Sequence, residues 1–369
     1  MLDHNRQQSE KFLSPDEVAR REHYNHTHKT SIAALKCMDG RINVPPMTDD
    51  EVPMGIVSPF RNMGGKFKIG SPNFAPFVRN FFSYVDRHML TENSPGGIVL
   101  VTYHYSAGSR ERGCKGFNDD TQAARAYTAS LKQDFEKVYG RGHHVIHPIH
   151  MGVETDSGAF ILHGDAGDEV LNMAEALDWS DVKLQARLAE LYPNMREAML
   201  LDLMPFVRGN QRHVRKVIAA NRPPVEMEHG ENIIAVGRGF DWLHLVNRAL
   251  IVGPFSVDWL SEVVVAGTIV LENLEKGRVN PDDGAVLLVS APYRDPGVDA
   301  AVAREKALEM GRLSWETITK HPQISKLLHY GLKIVVGTLD RRTMLFNRID
   351  PLPFMRAEHA GVSQADTAA

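Results

Sequence analysis

The stretch SIAALKCMDGR (31–41) decides the fold. Its apolar run Ile32–Leu35 reads as a buried strand, and the strand leads directly into Cys-x-Asp-x-Arg, formed by Cys37, Asp39 and Arg41. A second segment repeats the arrangement. After the breaker Pro95-Gly96-Gly97, Ile98–Val101 reads as a strand and runs into YHYSAGSRERGC (103–114). There His104 precedes Cys114 with nine residues between them. Two thiolates and an imidazole, each following a strand, can supply three ligands of a tetrahedral Zn²⁺. The fourth position is then left to water, as in a catalytic rather than a structural site.

Working outward, strands and helices alternate. SPNFAPFVRNFFSYVDRHML (71–90) has helical spacing of Phe77, Phe81, Phe82, Val85 and Met89 behind Ser71-Pro72. Asn118-Asp119-Asp120 can cap a helix running to about residue 138. Val145–Met151 and Ala159–Leu162 read as further strands, and helical segments fill 167–222. Such alternation implies an α/β fold, a mostly parallel sheet with flanking helices. Ligands in such sheets gather beyond the carboxyl ends of strands, where Cys37 and His104 are placed.

The pattern then returns. Arg222-Pro223-Pro224 marks a break, and NIIAV (232–236) parallels SIAAL (31–35). Asp283-Gly284-Ala285 with Val286–Val289 parallels Gly96-Gly97 with Ile98–Val101, and a helix over Val298–Ile318 parallels that over 119–138. KIVVGTLDRRTMLF (333–346) parallels HPIHMGVETDSGAFIL (147–162), with Gly337 and Asp340 facing Gly152 and Asp156. The spacing predicts an internal duplication, though any two α/β halves share a coarse resemblance. The second copy has lost the chemistry. Arg238-x-Phe240-x-Trp242 stands for Cys37-x-Asp39-x-Arg41, Pro292 stands for His104, and no cysteine follows Cys114. The expected organisation is a loosely docked polar arm (1–30), a zinc-bearing half (31–166), a helical connection (167–222), a degenerate half (223–355) and a flexible tail (356–369).

Composition excludes several classes. The 369 residues carry 42 basic and 46 acidic side chains, a net charge of −4, which points to neither a nucleic acid nor an anionic membrane. Two cysteines do not make a secreted disulfide scaffold. The N-terminal segment lacks the apolar core of a signal peptide. The most apolar stretch, 257–277, contains Asp258, Glu262 and Glu272 and reads as a buried helix rather than a membrane span. A cytoplasmic homo-oligomer is expected.

Each motif has a plainer reading. The cysteines would serve as small buried hydrophobes or as a redox pair if His104 had no role. Asp39 and Arg41 would be a surface salt bridge worth little. In the functional reading the guanidinium fork keeps Asp39 ionised and turned from the metal, where it accepts a hydrogen bond from zinc-bound water. His143, His144, His147 and His150 have no cysteine or carboxylate at ligand spacing and read as satisfied or surface histidines. His23, His26 and His28 belong to the polar arm and are expected to face solvent. Any of these imidazoles could shuttle protons near neutral pH.

These motifs together resemble the β-type carbonic anhydrases. CMDGR (37–41) matches that family's Cys-x-Asp-x-Arg, and FRNMGGKFKIG (60–70) is similar to its Arg-Asn-Ala-Gly loop, with Met63 for the alanine. The usual His-x-x-Cys is replaced by the longer insert between His104 and Cys114. That insert, and an active half joined to a decayed copy, resemble the carboxysomal shell subclass. The resemblance spans roughly residues 30–350. It implies reversible hydration of CO2 to bicarbonate through a zinc-bound hydroxide. Cys37, His104 and Cys114 would hold the metal, and Asp39 fixed by Arg41 would orient the hydroxide. Arg61, Asn62, Gly64 and Gly65 would shape the substrate pocket through backbone donors, the two glycines serving equally well as a tight turn. Hydrolysis of COS or CS2 on the same scaffold, or a non-catalytic zinc scaffold protein, are the rival expectations. The carboxysomal enzymes carry a longer N-terminal region contacting other carboxysome components. Only residues 1–30 precede the first strand here, so a carboxysomal location with those partners is the alternative to a cytoplasmic one.

Overall fold

A computed structural model describes residues 1–140, 146–221, 227–240 and 247–350. The chain divides into two compact units, a larger one of 15–229 with 254–257 and a smaller one of 1–14, 230–253 and 258–350.

The larger unit is built on six strands: β1 (Ser31–Cys37), β2 (Val57–Asn62), β3 (Gly97–Tyr105), β4 (Ile146–Glu154), β5 (Phe160–His163) and β6 (Val170–Asn172). Their order is β2-β1-β3-β4-β5-β6. The first four are parallel, and β5 and β6 continue antiparallel. All residues of β1 are buried, as expected of a strand paired on both edges and covered on both faces. The sequence reading missed β2. Pro59 interrupts it, and an edge strand tolerates a proline because one side of its ladder needs no donor.

The helices of this unit are α2 (Pro15–Thr27), α3 (Val44–Met47), α4 (Ala75–Glu92), α5 (Thr121–Phe135), α6 (Asp181–Leu191) and α7 (Glu197–Ala220), numbered after α1 (Leu2–Leu13) of the smaller unit. The Asp120 side chain accepts from Ala123 N–H and starts α5. Phe74, Val78, Phe81 and Val85 from the α4 region and Leu131 and Phe135 from α5 pack on Ala33, Leu35, Val99 and Val101. Those strand positions alternate and so share one sheet face. Each fully buried aliphatic or aromatic side chain there contributes about 1.5–3 kcal/mol.

Two expectations are corrected. The residues read as a loose polar arm are helical and anchored. In α1, Asn5 accepts from Phe346 N–H (2.8 Å) and donates to Met344 O (2.9 Å). In α2, Tyr24 is buried, and just beyond it His28 pairs with Asp202 at 3.0 Å rather than facing solvent. His23 and His26 are exposed. Few apolar residues mark these helices because polar side chains make their anchoring contacts. The stretch 167–222 is not wholly helical, since it holds β6, and α7 belongs to the larger unit rather than linking two halves. Asn210 of α7 explains why. It accepts from Phe160 N–H and donates to the carbonyls of Met47 and Gly158. The break at 222–224 lies outside the described residues.

The smaller unit has β7 (Ile233–Gly237), β8 (Ala249–Val252), β9 (Val286–Tyr293), β10 (Lys333–Asp340) and β11 (Leu345–Ile349), with α8 (Trp259–Glu275) and α9 (Val298–Lys320). Its order, β11-β10-β9-β7-β8, repeats that of β5-β4-β3-β1-β2. Strand directions repeat too, with parallel pairs throughout except the last, antiparallel one. Ile32 pairs with Ile98, and their sequence counterparts Ile233 and Val286 are register partners. The segment 257–277 forms α8, with Glu262 buried among Val263, Ala266 and Val270. No described helix is long and apolar enough to cross a membrane.

Candidate metal centre

β1 and β3 are neighbours, yet their outgoing connections leave toward opposite edges of the sheet, since β2 lies beyond β1 and β4 beyond β3. Such a switch point opens a crevice at the carboxyl ends. Cys37 is the last residue of β1, and His104 is the penultimate residue of β3. The insert after β3 returns Cys114 to them. The ligand atoms of Cys37, His104 and Cys114 lie within 4.8 Å of one another, and all three residues are buried.

The group could hold a metal ion, and its spacing is compatible with tetrahedral zinc. The sulfurs are 3.8 Å apart, too far for a disulfide. Two sulfurs each about 2.3 Å from one tetrahedral ion would stand about 3.8 Å apart. His104 is 1% exposed, and among the described residues neither of its ring nitrogens finds a hydrogen-bond partner. A buried imidazole whose nitrogens make no hydrogen bond carries a desolvation cost that a metal ion would relieve. Without metal, the Cys37 thiol is drawn down by a hydrogen bond from Cys114, against burial and with help from His104. Cys114 is pushed up by the same bond. Metal binding requires both thiols to be deprotonated, so it would release protons from this pair.

Asp39 stands beside this group, its Oδ2 3.7 Å from His104 Nδ1. Arg41 donates to it three times: from its backbone N–H to Oδ1 (2.8 Å), from Nε to Oδ1 (3.1 Å) and from Nη2 to Oδ2 (2.7 Å). Burial pushes the Asp39 carboxyl up, but the charges of Arg41 and His104 outweigh it and hold the group well below the usual carboxylate range. The pair is therefore no exposed salt bridge, with side chains only 5% and 4% accessible.

The smaller unit supplies an internal control. At the end of β10, Arg342 grips Asp340 through the same three atoms, at 2.9, 3.0 and 2.6 Å. The Asp-x-Arg fork is thus a local turn geometry that any strand end can adopt. The Arg342 side chain is 54% exposed. Arg41 differs in being held from outside its own turn. Its Nη2 also donates to Arg112 O (2.8 Å) and His229 Nε2 (3.1 Å), and its Nη1 to Met227 O (3.4 Å). Sequence reasoning missed these partners. His229 lies 188 residues away, and a backbone carbonyl has no sequence signature.

The remaining candidates surround the centre from β2 and its turn. Arg61 donates to the carbonyls of Asp39 (3.0 Å) and Ile42 (2.7 Å), bracing the loop that carries the dyad. Asn62 O accepts from Met38 N–H, and its amide donates to Lys66 O. Gly64 and Gly65 adopt φ of +64° and +65°. A Cβ on Gly65 would lie 3.1 Å from Thr102 O, and one on Gly116 would lie 2.7 Å from Gly64 Cα. These glycines form a tight turn and let it press against the Cys114 loop.

The other histidines separate. His147 pairs with Asp165 at 3.1 Å. His150 bonds Thr128 Oγ1 (2.9 Å) and stacks on His163, which meets Tyr103 Oη at 3.0 Å. Burial, with neighbouring positive charge, lowers His150 to about 3 and His163 to about 4, so neither suits a neutral-pH shuttle. His143, His144 and Trp242 lie outside the described residues. Compared with known proteins, the chain matches no protein-family model and no curated protein.

Proposed function

We propose that the chain is a zinc-dependent carbonic anhydrase of the β type, hydrating CO2 reversibly to bicarbonate and a proton. The observation that carries this reading is the buried Cys37–His104–Cys114 group with an ionised carboxylate, Asp39, fixed beside it. Three protein donors leave one position of a tetrahedral ion open. A bound zinc would supply the nucleophile, lowering the pKa of water from about 16 to about 7.

The chain's own residues do the rest. While ionised, Asp39 can accept but not donate, so it orients an attacking O–H toward itself and leaves the oxygen lone pair facing the substrate. Arg41 keeps it ionised and keeps its oxygens engaged. Arg61 holds the loop carbonyls, so the dyad does not drift. The repeated strand order and register support an internal duplication in which the second copy lacks counterparts of Cys37 and His104. Arg238 follows β7 where Cys37 ends β1, and Pro292 of β9 stands for His104. The location remains proposed as cytoplasmic, with the carboxysome as alternative.

The test is metal analysis of purified protein together with CO2-hydration and COS-hydrolysis assays. One zinc per chain and CO2 hydration that Asp39→Asn abolishes with zinc retained are expected. COS turnover without CO2 hydration would transfer the site to the rival substrate. Full zinc content with neither activity would make the metal a structural staple.

A further inference from the structure

The insert between His104 and Cys114 is tied down by an ion-pair network. The Arg112 side chain, only 7% accessible, is its hub. Its Nη2 donates to Asp156 Oδ2 (3.1 Å), its Nε to Ser106 Oγ (3.2 Å), and its Nη1 lies 3.6 Å from Glu228 Oε1. Asp156 in turn accepts from Ser106 Oγ and from Gly108 N–H at 2.8 Å. Glu154 accepts from the N–H groups of Ala107, Asp156 and Ser157, which fixes the β4–β5 turn beneath.

The backbone that Arg112 grips also holds Arg41. Arg41 is held from outside its turn by the Arg112 carbonyl and by Met227 O and His229 Nε2. The first belongs to the insert, and the other two flank Glu228. Arg112 therefore clamps, through Asp156 on one side and Glu228 on the other, both backbone segments that hold Arg41. The Arg342–Asp340 fork has the same local bonds, and its guanidinium is half exposed. The local fork alone does not bury the arginine.

We propose that Arg112 is the positioning residue of the Asp39–Arg41 dyad: by fixing the 105–113 and 227–229 segments it keeps Asp39 engaged by Arg41 instead of by the metal. This inference rests on the carbonic anhydrase reading. A buried guanidinium with two carboxylate partners resists displacement because losing either leaves charge unpaired in a poorly solvated place. If the clamp is released, Arg41 loses its outer partners and Asp39 is free to complete the metal's coordination.

Cobalt(II) substitution separates the possibilities, because the visible bands of thiolate-bound cobalt report coordination independently of turnover. Thiocyanate is the probe for an exchangeable fourth position. The wild-type spectrum should respond to thiocyanate. Arg112→Met should take up equal cobalt but bind thiocyanate about tenfold more weakly, with CO2 hydration falling in parallel. Arg112→Lys should recover part of both. Gly108→Ala tests the same fork without removing charge, since its Cβ would come within 2.5 Å of Arg112 Nη2 and 2.9 Å of Asp156 Oδ2. It should lie between wild type and Arg112→Met. A merely structural clamp would lower thermal stability and leave the thiocyanate response unchanged, and that result overturns the proposal. If Arg112→Met does not fold, Asp156→Asn and Gly108→Ala decide by the same readout. A wild-type chain that takes up no cobalt overturns the metal reading and this inference with it. Cobalt uptake and thiocyanate response without CO2 hydration overturn only the assigned reaction.

Discussion

The two Asp-x-Arg forks allow a matched experiment, Arg41→Ala beside Arg342→Ala. Both substitutions delete a guanidinium that makes two side-chain bonds to its aspartate, and both leave the backbone N–H bond in place. They differ in surroundings. The Arg342 side chain is 54% exposed, so water replaces it and the cost should be about 0–1 kcal/mol. Arg41 is buried and also donates to Arg112 O, Met227 O and His229. Its loss strands a buried carboxylate, which costs about 3–5 kcal/mol when nothing replaces the partner. In the zinc-loaded protein Asp39 has another cation within reach, so the penalty there should shrink by at least about 1.5 kcal/mol, a lower bound set by one charge-assisted bond. Urea denaturation of each variant, in chelator and in excess zinc, measures all four values. Equal costs for the two arginines in chelator would refute the argument that burial and outer partners distinguish the dyad. An Arg41→Ala penalty unaffected by zinc would refute the idea that the released carboxylate finds the metal.

Three further outcomes are expected. Elemental analysis should find one zinc per chain, and Cys37→Ala, His104→Ala or Cys114→Ala should each lose most of it; full retention by any variant removes that residue from the centre. His150 and His163 are held below the ordinary histidine value, so the unfolded chain binds more protons than the folded one. The stability they contribute is intact above about pH 6.5 and is lost as the pH falls toward about 4, by at most about 1.4 kcal/mol per histidine per pH unit and less after solvent relaxation. Comparing the pH dependence of unfolding between wild type and His150→Gln/His163→Gln isolates this slope, and parallel curves would contradict it. Gly65→Ala should destabilise by about 1–3 kcal/mol through its left-handed backbone and the approach to Thr102 O, whereas Gly167→Ala, equally left-handed but with open space around it, should cost about 1 kcal/mol. Thermal melts of the two variants check the difference.

The sequence by itself determined the features whose causes are local. Apolar runs placed β1, β3, β4, β5, β7 and β9, the repeated pattern placed β10 and α9, helical spacing placed α4, and a capping aspartate placed α5. Cys37, Asp39 and Arg41 were legible because one strand end carries all three, and His104 because it ends the neighbouring strand. What escaped depends on contacts distant in the chain. β2 and β8 are edge strands, each paired on a single side, and Pro59 disguises the first. The helices of 1–27 are anchored by Asn5, Ser9 and His28 through hydrogen bonds, which leave no hydrophobic periodicity to read. The Asp-x-Arg motif occurs in the same local geometry at Asp340–Arg342, so its spacing cannot say which copy is buried beside a metal group. Only tertiary structure decides that, by bringing the Arg112 carbonyl and His229 onto Arg41 across 71 and 188 residues of chain. Local sequence sets which side chains share a turn, whereas burial and long-range partners set what such a turn can do.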